Sequence, residues 1–307
     1  MLKIGCIGEC MLELSQFNPK TDTCHVAVSG DTLNTAAYLA RLLPEGVATV
    51  SYITVLGADC YSDWMVSRIA SFGIRTAFIA RDLDRRPGLY AIETDPSGER
   101  KFHYWRSDSA ARRLSEQGLL KAEVLLNFDL VYLSGITLAI LDDAGREELL
   151  ESCRTFRAKG GKVAFDSNYR PLLWAGVDIA RDALAAQWAE CDFAFPSLDD
   201  EMALWGEASS EEVLSRIAAF SDCEIAMKTG GPKVWLGSPD KQAYEVALEP
   251  AELVVDTTAA GDSFNAGYLA GHLTGASPFR SAELGHKIAC QVIAQKGAIV
   301  DFALDVT

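Results

Sequence analysis

Short apolar runs ending in glycine or a small polar residue alternate with helix-patterned stretches along most of the 307 residues. That alternation constrains the fold more than any other feature. Residues 2–8, 49–56, 129–134, 162–166, 192–196 and 223–228 read as strands. Residues 30–43, 60–72, 138–159, 209–220, 260–274 and 278–295 read as helices. In the first of these, Leu33, Ala36, Ala37, Ala40 and Leu43 form an inward stripe. A hairpin is expected at 232–237 and 241–247. Strands alternating with helices predict an α/β fold, a mostly parallel sheet covered on both faces. In such sheets ligands sit beyond the carboxyl ends of the strands.

Two stretches interrupt the alternation. Residues 9–29 carry strand-like pieces at 11–14 and 24–28. Residues 74–106 carry three more, at 75–80, 88–94 and 100–106, the last two joined by the turn signal D-P-S-G. These inserts predict a small second sheet, a discontinuous lid made of 9–29 and 74–106. The α/β domain is then 1–8, 30–73 and 107–307. With a period of two, Phe102, Tyr104 and Arg106 share one face while His103 and Trp105 share the other. If the two strands pair, Tyr90, Tyr104 and Arg106 line one concave surface suited to a polar molecule with a carboxylate. Aromatic cross-strand packing for stability alone is the alternative.

The net charge of −15 argues against a nucleic-acid partner and makes individual arginines informative. The eight cysteines are scattered without zinc or C-x-x-C spacing and read as reduced thiols. Glu9 interrupts the N-terminal apolar run, and no apolar run reaches membrane-spanning length, so a cytoplasmic protein without a membrane partner is expected. Neither G-x-x-x-x-G-K-[ST] nor a strand-linked G-x-G-x-x-G occurs, which removes P-loop and Rossmann sites. The four histidines are isolated.

What remains is a set of polar clusters at strand ends and helix starts: Ser29 to Asn34, Asp166 to Pro171, Ser197 to Glu201, Lys228 to Gly231, and Asp256 to Asp262. The last opens a helix with small residues, leaving its first N–H groups and positive dipole end free for an anion. A carboxylate at that mouth, Asp262, either caps the helix or acts on the ligand. Taken singly, each cluster reads as a cap or a turn; their shared placement points to one site.

In order and content these clusters resemble the ribokinase-like (PfkB-type) carbohydrate kinases over essentially the whole chain. Gly30-Asp31-Thr32-Leu33-Asn34 resembles the family's N-terminal segment that runs from glycine to Asn. D-T-T-A-A-G-D at 256–262 matches its D-T-x-G-A-G-D signature. The words I-G-E-C-M-L-E-L-S, P-G-L-Y-A-I-E-T-D-P-S-G-E-R, Y-W-R and D-S-N-Y-R-P-L-L-W resemble the family's 2-keto-3-deoxygluconate kinases most.

The resemblance implies a ribokinase-like fold with a β-sheet lid and ATP- and Mg²⁺-dependent phosphoryl transfer to a sugar-acid hydroxyl. It implies that Asp262 is the general base and that the backbone of Ala259, Ala260, Gly261 and Asp262 is an anion hole. It places Gly30, Asn34, Tyr90, Tyr104, Arg106 and Arg170 around the sugar acid. Lys228 and Gly230 fall near the nucleotide, and Ala289 with Val292 beside adenine. Asp200 replaces the family's Glu in N-x-x-E, as Ser197 replaces its Asn, so contact with Mg²⁺ through water is expected of Asp200. Ala259 replaces the usual glycine and is expected either to lack glycine's φ freedom or to take a helical-type φ. A monovalent cation near Asp256 and Thr258 and a homodimer paired through the lid are left open. Another sugar kinase of the same fold, for fructose or 2-keto-3-deoxygalactonate, and a sugar-acid sensor without catalysis are the alternatives. Two arginines in so acidic a chain favour an acidic substrate.

Overall fold

The computed structural model describes residues 1–94, 100–220, 222–238 and 241–302. The chain opens with β1 (Leu2–Ile7), β2 (Met11–Asn18), β3 (Thr23–Ser29) and α1 (Asp31–Leu42). Next come β4 (Ala48–Gly57), α2 (Cys60–Ser71), β5 (Ile79–Asp82), β6 (Gly88–Thr94) and β7 (Arg100–Trp105). The middle holds α3 (Ala122–Leu125), β8 (Leu130–Ser134), α4 (Gly135–Ile140), α5 (Asp143–Ala158), β9 (Lys162–Asp166) and α6 (Val177–Trp188). Then follow β10 (Phe193–Phe195), α7 (Leu198–Trp205), α8 (Ser210–Phe220), β11 (Glu224–Lys228), β12 (Lys233–Ser238) and β13 (Lys241–Ala247). The long helices α9 (Ala260–Leu273) and α10 (Pro278–Ile293) close the described chain.

Nine strands form the large sheet in the order β13-β12-β11-β10-β9-β8-β1-β4-β5. Its pairs are parallel from β5 across to β11, and β12 and β13 add an antiparallel hairpin at one edge. Every residue of β8 is buried, as a central parallel strand covered on both faces requires. Its alternate side chains go to different cores. Tyr132 packs with Ile4, Tyr52 and Phe195 against Leu33 of α1, Tyr268 of α9 and Ile288 of α10. Val131 and Leu133 pack with Phe165 against Leu149 of α5 and Trp188 of α6. Helices α9 and α10 press together at two glycines: a Cβ on Gly267 would lie 2.5 Å from the Gly285 Cα. No described helix is long and apolar enough to cross a membrane.

A separate four-stranded sheet, ordered β3-β2-β6-β7, stands apart from the large one. It joins both inserts through the parallel pair β2 and β6, while β6 and β7 pair antiparallel with Tyr90 opposite Tyr104. The expected D-P-S-G turn lies outside the described residues.

Several elements differ from the sequence reading. The strand expected at 75–80 in the second sheet is β5, which begins at Ile79 and pairs with β4 in the large sheet. The single helix expected at 138–159 is two, because Asp142 turns extended and caps α5 with a bond from the Gly145 N–H at 2.8 Å. Helices α6 and α7 had no forecast. The buried face of α6 is Ala180, Leu184, Gln187 and Trp188, a stripe too mixed to stand out by hydropathy.

Candidate active site

A cavity of about 1010 Å³ lies between the carboxyl ends of the large sheet and the second sheet. The large sheet contributes the start of α1, the loops after β9, β10 and β11, and the start of α9. The second sheet contributes Met11, Tyr90, Phe102, Tyr104 and neighbouring Arg106. The parallel topology brings these loops to one end because every βα connection leaves its strand there.

At the floor is the start of α9. Its N-cap, Ala259, takes the left-handed conformation, φ 60° and ψ 16°. The expectation that Ala259 would lack glycine's φ freedom or keep a helical-type φ is therefore corrected: the turn imposes a glycine-like backbone on alanine. Ala260 N–H bonds Thr257 O at 3.2 Å, while the first-turn N–H groups of Gly261 and Asp262 have no intrahelical acceptor. Lys228, at the end of β11, reaches this turn; a Cβ on Gly261 would lie 3.5 Å from its Nζ. Backbone donors, a helix dipole and an ammonium thus converge where an anion can bind.

Asp262 is almost fully buried beside them. Its Oδ2 accepts a hydrogen bond from Asn34 Nδ2 at 2.8 Å, and its carbonyl accepts one from Thr35 Oγ1 at 3.3 Å. Burial first, and then the charge of Asp31, pushes the Asp262 carboxyl up to about 8. Asp31 is itself raised by burial, although Ser134 Oγ and Asn168 Nδ2 donate to it. A buried carboxyl with so high a proton affinity has the character of a general base. Asn34, expected at the substrate, bonds this carboxyl and lines the same cavity.

Below the turn, Lys228 Nζ pairs with Asp166 Oδ2 at 2.9 Å and donates to Asn265 Oδ1 at 3.2 Å, while Asn265 Nδ2 donates to the same Asp166 oxygen at 2.6 Å. On the rim, Arg170 pairs with Asp200 at 3.2 Å and stays half exposed. Asp200 also accepts the Tyr169 N–H at 3.2 Å, and burial raises its carboxyl above the ordinary value. No cluster of three or more His, Cys, Asp or Glu suited to a metal occurs among the described residues.

On the second sheet, Arg106 pairs with Glu9, which is 1% exposed and whose other oxygen has no partner. Tyr90 donates to the buried Glu13. The rings of Tyr90 and Tyr104 lie 5.8 Å apart, and the Arg106 guanidinium is 5.9 Å from the Tyr104 ring.

The cavity thus gathers Gly30, Asn34, Tyr90, Tyr104, Arg106, Arg170, Asp200, Lys228, Gly230 and Ala259 to Asp262. Gly30 is required by space: a Cβ there would lie 2.2 Å from the Glu9 carbonyl oxygen. Ala289 is not among the residues lining it. Ala289 packs, partly buried, against the core on α10, and Val292 is fully buried. Glu9, Glu13, Asp166 and Asn265 were not singled out as site residues. The first two are acids within an otherwise apolar, strand-patterned segment, where an acid reads only as an interruption.

The sequence pattern described as pfkB family carbohydrate kinase matches residues 1–303. The chain belongs to this family. It is 45% identical over 303 residues to the 2-dehydro-3-deoxygluconokinase of Escherichia coli strain K12, covering 97% of each chain. Its fold matches that of a 2-dehydro-3-deoxygluconokinase from Thermotoga maritima with a TM-score of 0.83 at 22% identity, covering 98% of this chain and 97% of the other. The fold also matches a fructokinase with bound ATP from Xylella fastidiosa, with a TM-score of 0.80 at 21% identity and 96% and 93% coverage. At those identities the structural matches speak to the ribokinase-like fold alone.

Proposed function

We propose that this kinase transfers the γ-phosphoryl group of ATP to the 6-hydroxyl of 2-keto-3-deoxygluconate, the sugar acid also called 2-dehydro-3-deoxygluconate. The observation that carries the reading is the placement of a buried, proton-avid Asp262 at an anion-binding helix start, across a cavity from Arg106 and Arg170. A neutral sugar has no use for two guanidinium groups, whereas a carboxylate forms charge-assisted bonds with them. The identity to the Escherichia coli enzyme over nearly all of both chains supports the same substrate.

In this reading, the arginines hold the carboxylate end and Tyr90 and Tyr104 flank the carbon chain. The far hydroxyl then meets Asp262, whose carboxylate takes the hydroxyl proton as the oxygen attacks the γ-phosphorus and the bond from that phosphorus to the bridging oxygen breaks, releasing ADP. Charge on the transferring group is met by the N–H groups of Gly261 and Asp262 and by Lys228, which act by position rather than covalently. Mg²⁺ neutralises phosphate charge when bound. The donor set fits a water-mediated ion, because the carboxylates of Asp166 and Asp200 are already bonded to Lys228 and Arg170. The second sheet serves as a lid that excludes water. Exposed Phe17, Val26 and Trp105 on it support pairing of two copies there.

Arg170→Ala tests the substrate assignment. The KM for the keto acid should rise at least tenfold, as expected for a charged hydrogen bond worth about 1.5–3 kcal/mol, with a smaller change for any neutral sugar. An unchanged KM for the keto acid would remove Arg170 from the reading.

A further inference from the structure

The first residue of β7, Arg100, leaves the second sheet and reaches the turn that leads into α9. Its Nη1 lies 2.5 Å from Asp256 Oδ1 and donates to Thr258 Oγ1 at 2.9 Å. Both acceptors belong to the segment that builds the anion site. Asp256 Oδ1 also accepts the Thr258 N–H at 2.8 Å, and Oδ2 accepts the Gly297 N–H at 3.0 Å. The N–H groups of Val255 and Asp256 both bond Ile293 O, at 2.7 and 3.0 Å. Asp256 therefore fixes the turn to the end of α10, immediately before the left-handed Ala259. Its carboxyl is held below the ordinary value despite burial, by these N–H groups, the Thr258 hydroxyl and Arg100.

A carboxylate and a hydroxyl two residues apart are the kind of oxygen pair that a monovalent cation would need here, and family resemblance left such an ion open. The pair does not fit one. Arg100 already bonds both oxygens, its side chain is 23% exposed and that of Asp256 only 9%. A second positive charge at these oxygens would stand in contact with the guanidinium, where like charges in a poorly solvated place repel strongly.

We propose that Arg100 supplies the fixed positive charge under the anion-site turn in place of a monovalent cation, and that the same contact ties the second sheet to the catalytic loop. Arg100 is a positioning residue. It acts through Asp256 and Thr258 on the backbone of Ala259 to Asp262. Because it comes from the sheet that covers the cavity, movement of that sheet away from the body withdraws the charge from the turn. The anion site is then complete only when the two sheets are in contact. An alkali cation could not couple the two, having no tether to the covering sheet.

The proposal rests on the kinase reading for its activity readout but not for its stability readout. The full-length protein, Arg100→Met and Arg100→Lys are compared in potassium chloride and in tetramethylammonium chloride at equal ionic strength. Two quantities are measured: the Tm without substrates, and the steady-state kcat and KM from ADP release. The parent protein should give the same Tm and the same kcat in both salts. Arg100→Met should lose about tenfold in kcat, within the usual range of coupling between two sites, with little change in KM for the sugar. Potassium or guanidinium ions should restore part of that loss and raise its Tm, because the vacated oxygens then accept a small cation. Arg100→Lys should retain more of the kcat than Arg100→Met. A parent enzyme activated severalfold by potassium, or a Tm of the parent that rises in potassium alone, would overturn the proposal. So would an Arg100→Met protein with parental kcat in both salts. Should Arg100→Met not fold, the parental salt comparison and the Arg100→Lys kcat decide it. If the parent releases no ADP in either salt, the kinase reading fails, and the two Tm comparisons still decide the role of Arg100.

Discussion

Replacing Asp262 with Asn should abolish most turnover and, at alkaline pH, make the protein more stable. Asp262 is nearly buried, and its carboxyl is raised from the ordinary 3.8 to about 8 by burial and by Asp31. Between those two values the folded chain keeps a proton that the unfolded chain releases. Stability therefore falls as pH rises through this window and is lowest once Asp262 is ionised. The interval is about four pH units, and at about 1.36 kcal/mol per unit the ceiling on this penalty is roughly 6 kcal/mol. Asp31 shares the repulsion and relaxes when its neighbour changes, so a realised gain of about 1–3 kcal/mol is expected at alkaline pH. Asn is of the same shape and its side-chain oxygen still accepts from Asn34 Nδ2, now at 2.8 Å from Oδ2, so no cavity is left and the Asn34 donor keeps its partner. Urea midpoints of both proteins at about pH 5 and about pH 9 read the effect. The advantage of Asp262→Asn should be small at the first and larger at the second. Loss of the base should lower kcat by roughly 10²–10⁴-fold. An Asn protein no more stable than the parent at about pH 9 would refute the buried-base argument.

The contacts around this residue give further expectations. Asn34→Ala removes a donor that favours ionised Asp262, so the acid limb of the kcat/KM profile should move to higher pH and activity near neutrality should fall. Arg106→Ala should raise the KM for the keto acid and, by leaving Glu9 buried without its partner, destabilise the fold by about 3–5 kcal/mol. Adding Glu9→Gln should recover much of the urea midpoint without recovering the KM. Ala259→Gly should relieve the left-handed backbone, and the smaller entropy of alanine in the unfolded chain offsets part of that, leaving a gain of up to about 1 kcal/mol. A clear drop in Tm would show that the alanine methyl makes a contact of its own.

The large sheet was legible in the sequence because parallel strands buried on both faces appear as continuous apolar runs, as β8 and β9 do. The helix start that carries Asp262 was legible because small residues, an acid and a helical stripe follow one another without a gap in 256–274. The roles of Asn34 and Arg100 were not. Asn34 bonds a residue 228 positions away, and Arg100 bonds one 158 positions away. No local pattern records either distance. Glu9 was hidden for a related reason: an acid in an apolar segment reads as an interruption until its partner, Arg106, is brought to it by the pairing of β2 with β6.

The most direct test of the account is turnover on a panel of acceptors with ATP and Mg²⁺: 2-keto-3-deoxygluconate, its galactonate epimer, fructose and ribose. ADP release is followed, and the position of the phosphate in the product is read by nuclear magnetic resonance. The account predicts efficient phosphorylation of 2-keto-3-deoxygluconate at the 6-hydroxyl, with fructose and ribose far behind. Equal or faster turnover of a neutral sugar would contradict it.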